Sequence, residues 1–156
     1  MNYNEIFIES WNSVLKRYKE GNVRFLSEAD LRCHIFSECL KLLIREKMEI
    51  PYKIHAEKSI LSPRQKADLV LGADEVIVEI KFEPNYPGVS KPVVFREDVE
   101  KDIAKMEEYL KRGAQHAHFV MIDEDGQHAR NPRIKEEWKS MWIRRKKSYY
   151  LHIMRP

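Results

Sequence analysis

Along residues 4–19 the apolar positions Ile6, Trp11, Val14, Leu15 and Tyr18 recur at helical spacing, and Gly21-Asn22 supplies the stop. A second helix is predicted from Ser27 to about Lys47. The Ser27 hydroxyl can cap it, Asp30 completes a capping-box-like signal, and Leu31, Ile35, Cys39 and Leu42 form its apolar stripe. Three extended stretches follow at about 53–60, 66–72 and 75–82, then a proline-rich loop over 83–94 (EPNYPGVSKPVV). Val99, Ile103, Met106 and Leu110 line one face of a helix over about 97–112, which ends at Gly113. HAHFVMI at 116–122 reads as a buried strand, closed by the turn Asp123-Glu124-Asp125-Gly126. A further helix near 134–145 and a short strand in YYLHIM complete the prediction. This order implies an α/β domain with one central mixed sheet flanked by helices.

Composition narrows the class. The 156 residues suit one domain over 1–156, and 43% hydrophobic content excludes disorder as the main state. No apolar run reaches the ~18–20 residues of a membrane helix, and the first residues lack a signal-peptide pattern. Cys33 and Cys39 share one predicted helix and cannot frame a disulfide scaffold, so a reducing cytoplasm is the expected compartment. The net charge of +3 is uneven: the extension 133–156 holds eight Lys/Arg against two Glu, while the rest is mildly acidic. A basic end on an acidic body suggests a polyanionic partner.

The chemistry concentrates in KADLVLGADEVIVEIKF, residues 66–82. With a two-residue loop at Ala73-Asp74, Ala67 faces Ile80, Leu69 faces Val78 and Leu71 faces Val76, making one face wholly apolar. The other face sets Asp68 opposite Glu79, Lys66 opposite Lys81 and Val70 opposite Ile77. A one-residue slip would drive charges into the apolar face, so the register is strongly specified. Opposed carboxylates are destabilising and ask for a cation. A hard divalent ion takes such oxygens and leaves room for water and a phosphate. Lys81, beside Glu79, would position or deprotonate the water, or neutralise charge developing on the phosphate. Glu28 points into the apolar stripe of the second helix at its first turn, where a buried carboxylate needs a metal, a water or a basic partner; the alternative is a solvated glutamate favoured there by the helix dipole. Glu38 and Glu57 are weaker alternatives.

A helix with an early glutamate, then Asp68, then Glu79-Ile80-Lys81 across a hairpin, then helix and strand, resembles the PD-(D/E)XK nuclease superfamily. The similarity spans about residues 27–122, with Ala67 in place of the motif proline. It implies the restriction-endonuclease-like αβββαβ core and a deoxyribonuclease using Mg²⁺ or Mn²⁺. Asp68, Glu79, the Ile80 carbonyl and Glu28 would hold metal, and Lys81 would assist the attacking water. It also implies that Lys101 or Lys105 is available to phosphate, and it admits a homodimer. The family includes members that bind nucleic acid without cutting it, which is the alternative reading.

In the tail, Arg144, Arg145, Lys146 and Lys147 are the expected phosphate contacts, and Trp138 and Trp142 are read as one helix's core face. His116, His118 and His128 lack the companions of a tetrahedral zinc site. Neither cysteine has the partners of a thiol nucleophile, and no Gly-rich phosphate loop or dinucleotide fingerprint is present, so no nucleotide cofactor is expected.

Overall fold

Asn2 opens the first helix, α1 (Tyr3–Glu20): its side chain accepts from the Glu5 N–H, and the Glu5 carboxylate accepts from the Asn2 N–H. Gly21 closes α1 in the left-handed region, φ 78°. The Ser27 hydroxyl caps α2 (Glu28–Arg45), accepting from Asp30 N–H at 3.2 Å, while the Asp30 carboxylate accepts from Leu26 N–H. This computed structural model describes residues 1–48, 53–85, 94–143 and 147–155, the side chains of 141–143 and 147–148 excepted.

The strands β1 (Ile54–Ser62), β2 (Gln65–Leu71), β3 (Val76–Glu83), β4 (His116–Asp123), β5 (Lys139–Ile143) and β6 (Lys147–Arg155) make one mixed sheet in the order β1-β2-β3-β4-β6-β5. Only β3 and β4 are parallel, joined through α3 (Arg96–Lys111) as a crossover. The helices α1 and α2 cover one face, where Phe7, Trp11, Leu31 and Ile35 pack on Leu69, Val78 and Val120. Helix α3 covers the other, where Val99, Met106 and Tyr109 meet Val70, Ile77 and Phe119. Each fully buried large apolar side chain contributes roughly 1.5–3 kcal/mol, which anchors the strands between two helical layers. Among the described residues no helix is long and apolar enough to cross a membrane.

The hairpin register holds where it was most constrained: Leu69 pairs with Val78, Val70 with Ile77 and Leu71 with Val76. The α2 stripe ends on buried Leu43 instead of Leu42, and Ala67 packs in the α3-side cluster, away from Leu69. The largest correction concerns the tail. In place of a helix near 134–145 there is a single 3₁₀ turn at Glu136–Trp138, followed by β5. The Trp138/Trp142 spacing suggests a helix, but KSMWI carries the strand formers Trp142 and Ile143 and finds β6 to pair with, so tertiary pairing decides. The two tryptophans therefore share no helix face; Trp138 packs partly buried beside the α3-side cluster.

A buried histidine chain ties α1 to the sheet. The Asn4 Oδ1 can only accept, so His118 Nε2 donates to it at 2.7 Å; His118 Nδ1 then accepts from His152 Nε2 at 3.0 Å. Burial, aided by His152 and His116, holds the His118 pKa down to about 3. A protonated His118 would face His152 donor to donor. Because the folded pKa lies below the ordinary 6.5, its stabilisation is complete above 6.5 and is lost as pH falls toward 3. The stability advantage of the wild type over His118→Gln is expected to shrink by up to about 1.4 kcal/mol per pH unit across that window. Paired urea melts at stepped pH measure it, and a pH-independent difference would contradict the chain.

Candidate active site

The β2–β3 ladder is three pairs long, and where it ends the Asp68 carboxylate takes over: its Oδ2 accepts from the Ile80 N–H at 2.8 Å. Asp68 and Glu79 therefore do not sit as a ladder pair, yet the Asp68 charge is one cause of the raised Glu79 pKa. The other Asp68 oxygen is held by Arg32 of α2 at 3.1 Å, and the same guanidinium reaches Glu57 at 2.8 Å. Asp68 is thus fixed from both sides, by a main-chain donor of β3 and a cation of α2.

Glu79 is 2% exposed and points toward α3, where the Tyr109 hydroxyl donates to its Oε1. Burial, then the negative charges of Asp102 and Asp68, push its pKa up to about 8. Lys105 offsets this in part at 3.7 Å. Lys81 Nζ lies between Asp102 at 2.9 Å and Glu28 at 3.3 Å, and donates to the Ile80 carbonyl at 3.3 Å. Burial alone would lower the Lys81 pKa, but Asp102 and Glu28 outweigh it and hold the group above its ordinary value. Lys81 is firmly an ammonium. Burial raises the Glu28 pKa, with Lys81 opposing.

An open cleft of about 360 Å³ is lined by Glu28, Lys81, Val94, Asp98, Lys101, Asp102 and Lys105; Asp68 and Glu79 are not among its walls. Lys105 is pinned to Asp102 at 2.5 Å, whereas Lys101 is exposed at the cleft wall, 3.6 Å from Asp98. Glu28, Lys81, Lys101 and Lys105 therefore share the cleft, while Asp68 and Glu79 couple to its members electrostatically from β2 and β3. Glu38 does neither: it pairs with Arg17 and Lys41 at the α1–α2 contact. Arg144, Arg145 and Lys146 lie outside the described residues, and so does the side chain of Lys147.

Asp102 and Tyr109 escaped the sequence reading. The apolar spacing of Val99, Ile103, Met106 and Leu110 predicts one helix phase, but the buried face carries Val99, Asp102, Met106 and Tyr109. The signal was available. Asp102 lies three residues after one buried position and four before the next, so an acid sat on the apolar stripe.

No family model, no curated protein and no solved structure matches this chain. Its site is therefore judged on its own chemistry. Among the described residues no three His, Cys, Asp or Glu side chains form a ready-made metal cluster. A hard cation needs less: one or two carboxylates, a carbonyl and waters suffice for Mg²⁺. Asp68, Glu79 and the Ile80 carbonyl are oxygen donors of that kind on adjoining strands. The donor types fit such an ion, which would have to take the place of the Arg32, Tyr109 and Lys81 contacts to these oxygens.

Proposed function

We propose that this protein is a metal-dependent nuclease that hydrolyses DNA phosphodiester bonds, with a PD-(D/E)XK-like site on the αβββαβ core formed by α2, β1, β2, β3, α3 and β4. The observation that carries this reading is Lys81, fixed in the cleft wall between Glu28 and Asp102, on the strand that also carries Glu79 and receives the Asp68 carboxylate at the Ile80 N–H. Asp68, Glu79 and the Ile80 carbonyl would hold Mg²⁺ or Mn²⁺. Such an ion polarises a phosphoryl oxygen and acidifies water in its shell.

The chain's own residues do the rest. Lys81, kept charged and aimed by Glu28 and Asp102, donates to the phosphoryl oxygen on which negative charge grows as water attacks phosphorus and the bridging oxygen departs. Held as an ammonium, it orients water and stabilises charge; the attacking water's proton leaves to solvent in the open cleft, and solvent protonates the departing oxygen. Lys105, and Lys101 at the wall, attract the phosphate. Tyr109 fixes the Glu79 rotamer from the core side. The alternative, a module that binds nucleic acid without cutting, rests on the same residues.

Calorimetric titration of Mn²⁺ with wild type and Asp68→Ala, alongside cleavage by both, tests the assignment. Binding and cleavage should both be lost in Asp68→Ala; retention of both would remove Asp68 from the site. Asp102→Asn should keep Mn²⁺ binding and lower cleavage about tenfold or more, since Lys81 loses its nearest anchor. Full activity in that variant would deny Asp102 its positioning role.

A further inference from the structure

Beside the cleft lies a second cavity of about 290 Å³, lined by Arg96, Gln127, His128, Arg130 and Asn131. Its cationic wall is organised. Arg96 is held by Glu100 at 3.0 Å through Nε and by the Asn131 side-chain oxygen at 2.9 Å through Nη2. Arg133 pairs with the same Glu100. Arg130 is exposed, with no ion-pair partner among the described residues. Arg96 and Arg130 line the cavity and Arg133 joins them through Glu100, while Asp125 contacts Gln127 and Glu83 lies beside His128. His128 closes the cavity with its Nε2 turned inward, 3.7 Å from Glu83.

This cavity and the cleft are neighbours along the chain. Val94 is in the cleft wall and Arg96 in the cavity wall, and two residues span at most about 7 Å of backbone. Between them stands Phe95, 59% exposed at the first boundary of α3, where its side chain makes no capping bond. An aromatic ring left in water between two phosphate-attracting concavities has no role in the core. It does offer a stacking surface.

We propose that Arg96, Arg130 and Arg133 form a second phosphate subsite, and that Phe95 stacks on an unpaired base between it and the Lys81 cleft. The preferred substrate is then a strand that is single at the site. Guanidinium groups suit phosphate through planar, paired donors. A ring stacks only on a base whose face is free, so a closed duplex gains the phosphate contacts and loses the stacking. The inference rests on the nuclease reading for its substrate, but not for its test.

That test is equilibrium binding without catalysis. Fluorescence anisotropy in EDTA compares a short labelled oligothymidylate with a blunt duplex of matched length. Phe95→Ala should weaken oligothymidylate binding about tenfold and leave duplex binding unchanged; Phe95→Leu, which keeps an apolar side chain, should behave like the alanine variant. Arg130→Gln should weaken both ligands and lower the log–log salt slope by about one. Thermal melts confirm that the variants are folded. Unchanged oligothymidylate binding in Phe95→Ala, equal losses on both ligands, or an unchanged salt slope in Arg130→Gln would overturn the proposal. The two readings separate cleanly. Binding as expected with no cleavage keeps the subsite and removes hydrolysis. Cleavage with Phe95 and Arg130 silent keeps hydrolysis and removes the subsite.

Discussion

Lys81→Ala is expected to lower metal-dependent DNA cleavage about 10²–10³-fold, the usual loss when one preorganised donor to a developing charge is removed. The reason lies in how the lysine is held. Its Nζ has Asp102 at 2.9 Å and Glu28 at 3.3 Å, so its position is set by two helices and its charge is secured. The fold should survive the change, because Asp102 retains Lys105 at 2.5 Å and Glu28 is a third exposed. Metal affinity should persist or rise, since a cation leaves the neighbourhood of the binding carboxylates. This pattern separates Lys81 from Asp68, whose loss should take metal binding with it. Single-turnover cleavage and Mn²⁺ titration of the same preparation check both halves; unchanged cleavage would take Lys81 out of the mechanism.

Glu79→Gln should raise the stability of the metal-free protein while abolishing its cleavage. Glu79 is buried beside two other carboxylates, and its pKa is pushed from 4.5 up to about 8. For an acid raised in the folded state, stability is fully present below 4.5 and is lost as pH rises through 8, at up to about 1.4 kcal/mol per unit. Glutamine keeps an oxygen for the Tyr109 hydroxyl and carries no charge. The gain at pH 8 is therefore on the order of a few kcal/mol, or several degrees in Tm for a chain of this length. Thermal melts in EDTA at stepped pH should show the variant pulling ahead above about 5. Added Mn²⁺ should raise the wild-type Tm and leave Glu79→Gln unmoved. Equal melting at all pH values would mean that Glu79 is not under electrostatic strain.

How far the site was legible depended on which force set each feature. The β2–β3 register could be read because a slip would have driven charges into the face that Leu69, Leu71, Val76 and Val78 bury. Glu28 could be placed because a carboxylate at that helical phase needs a partner, which Lys81 provides. Asp102 and Tyr109 were hidden by the habit of phasing a helix on its apolar residues: both share the buried face with Val99 and Met106 while Ile103 and Leu110 lie only partly covered. The Arg32 clamp on Asp68 was unreadable, since it joins residues 36 positions apart across two layers. The tail misled for a different reason. Aromatic residues four apart suit a helix, and only the arrival of β6 makes KSMWI a strand.

The central claim is that Asp68, Glu79 and Lys81 form a metal-dependent hydrolytic site. Incubation of supercoiled plasmid and of single-stranded DNA with wild type, Glu79→Ala and Lys81→Ala, in Mg²⁺ or Mn²⁺ and in EDTA, tests it most directly. Nicking, linearisation or strand degradation is expected from the wild type alone, and only with metal. Cleavage of equal rate in all three proteins, or none by the wild type on any substrate while binding is retained, would contradict it.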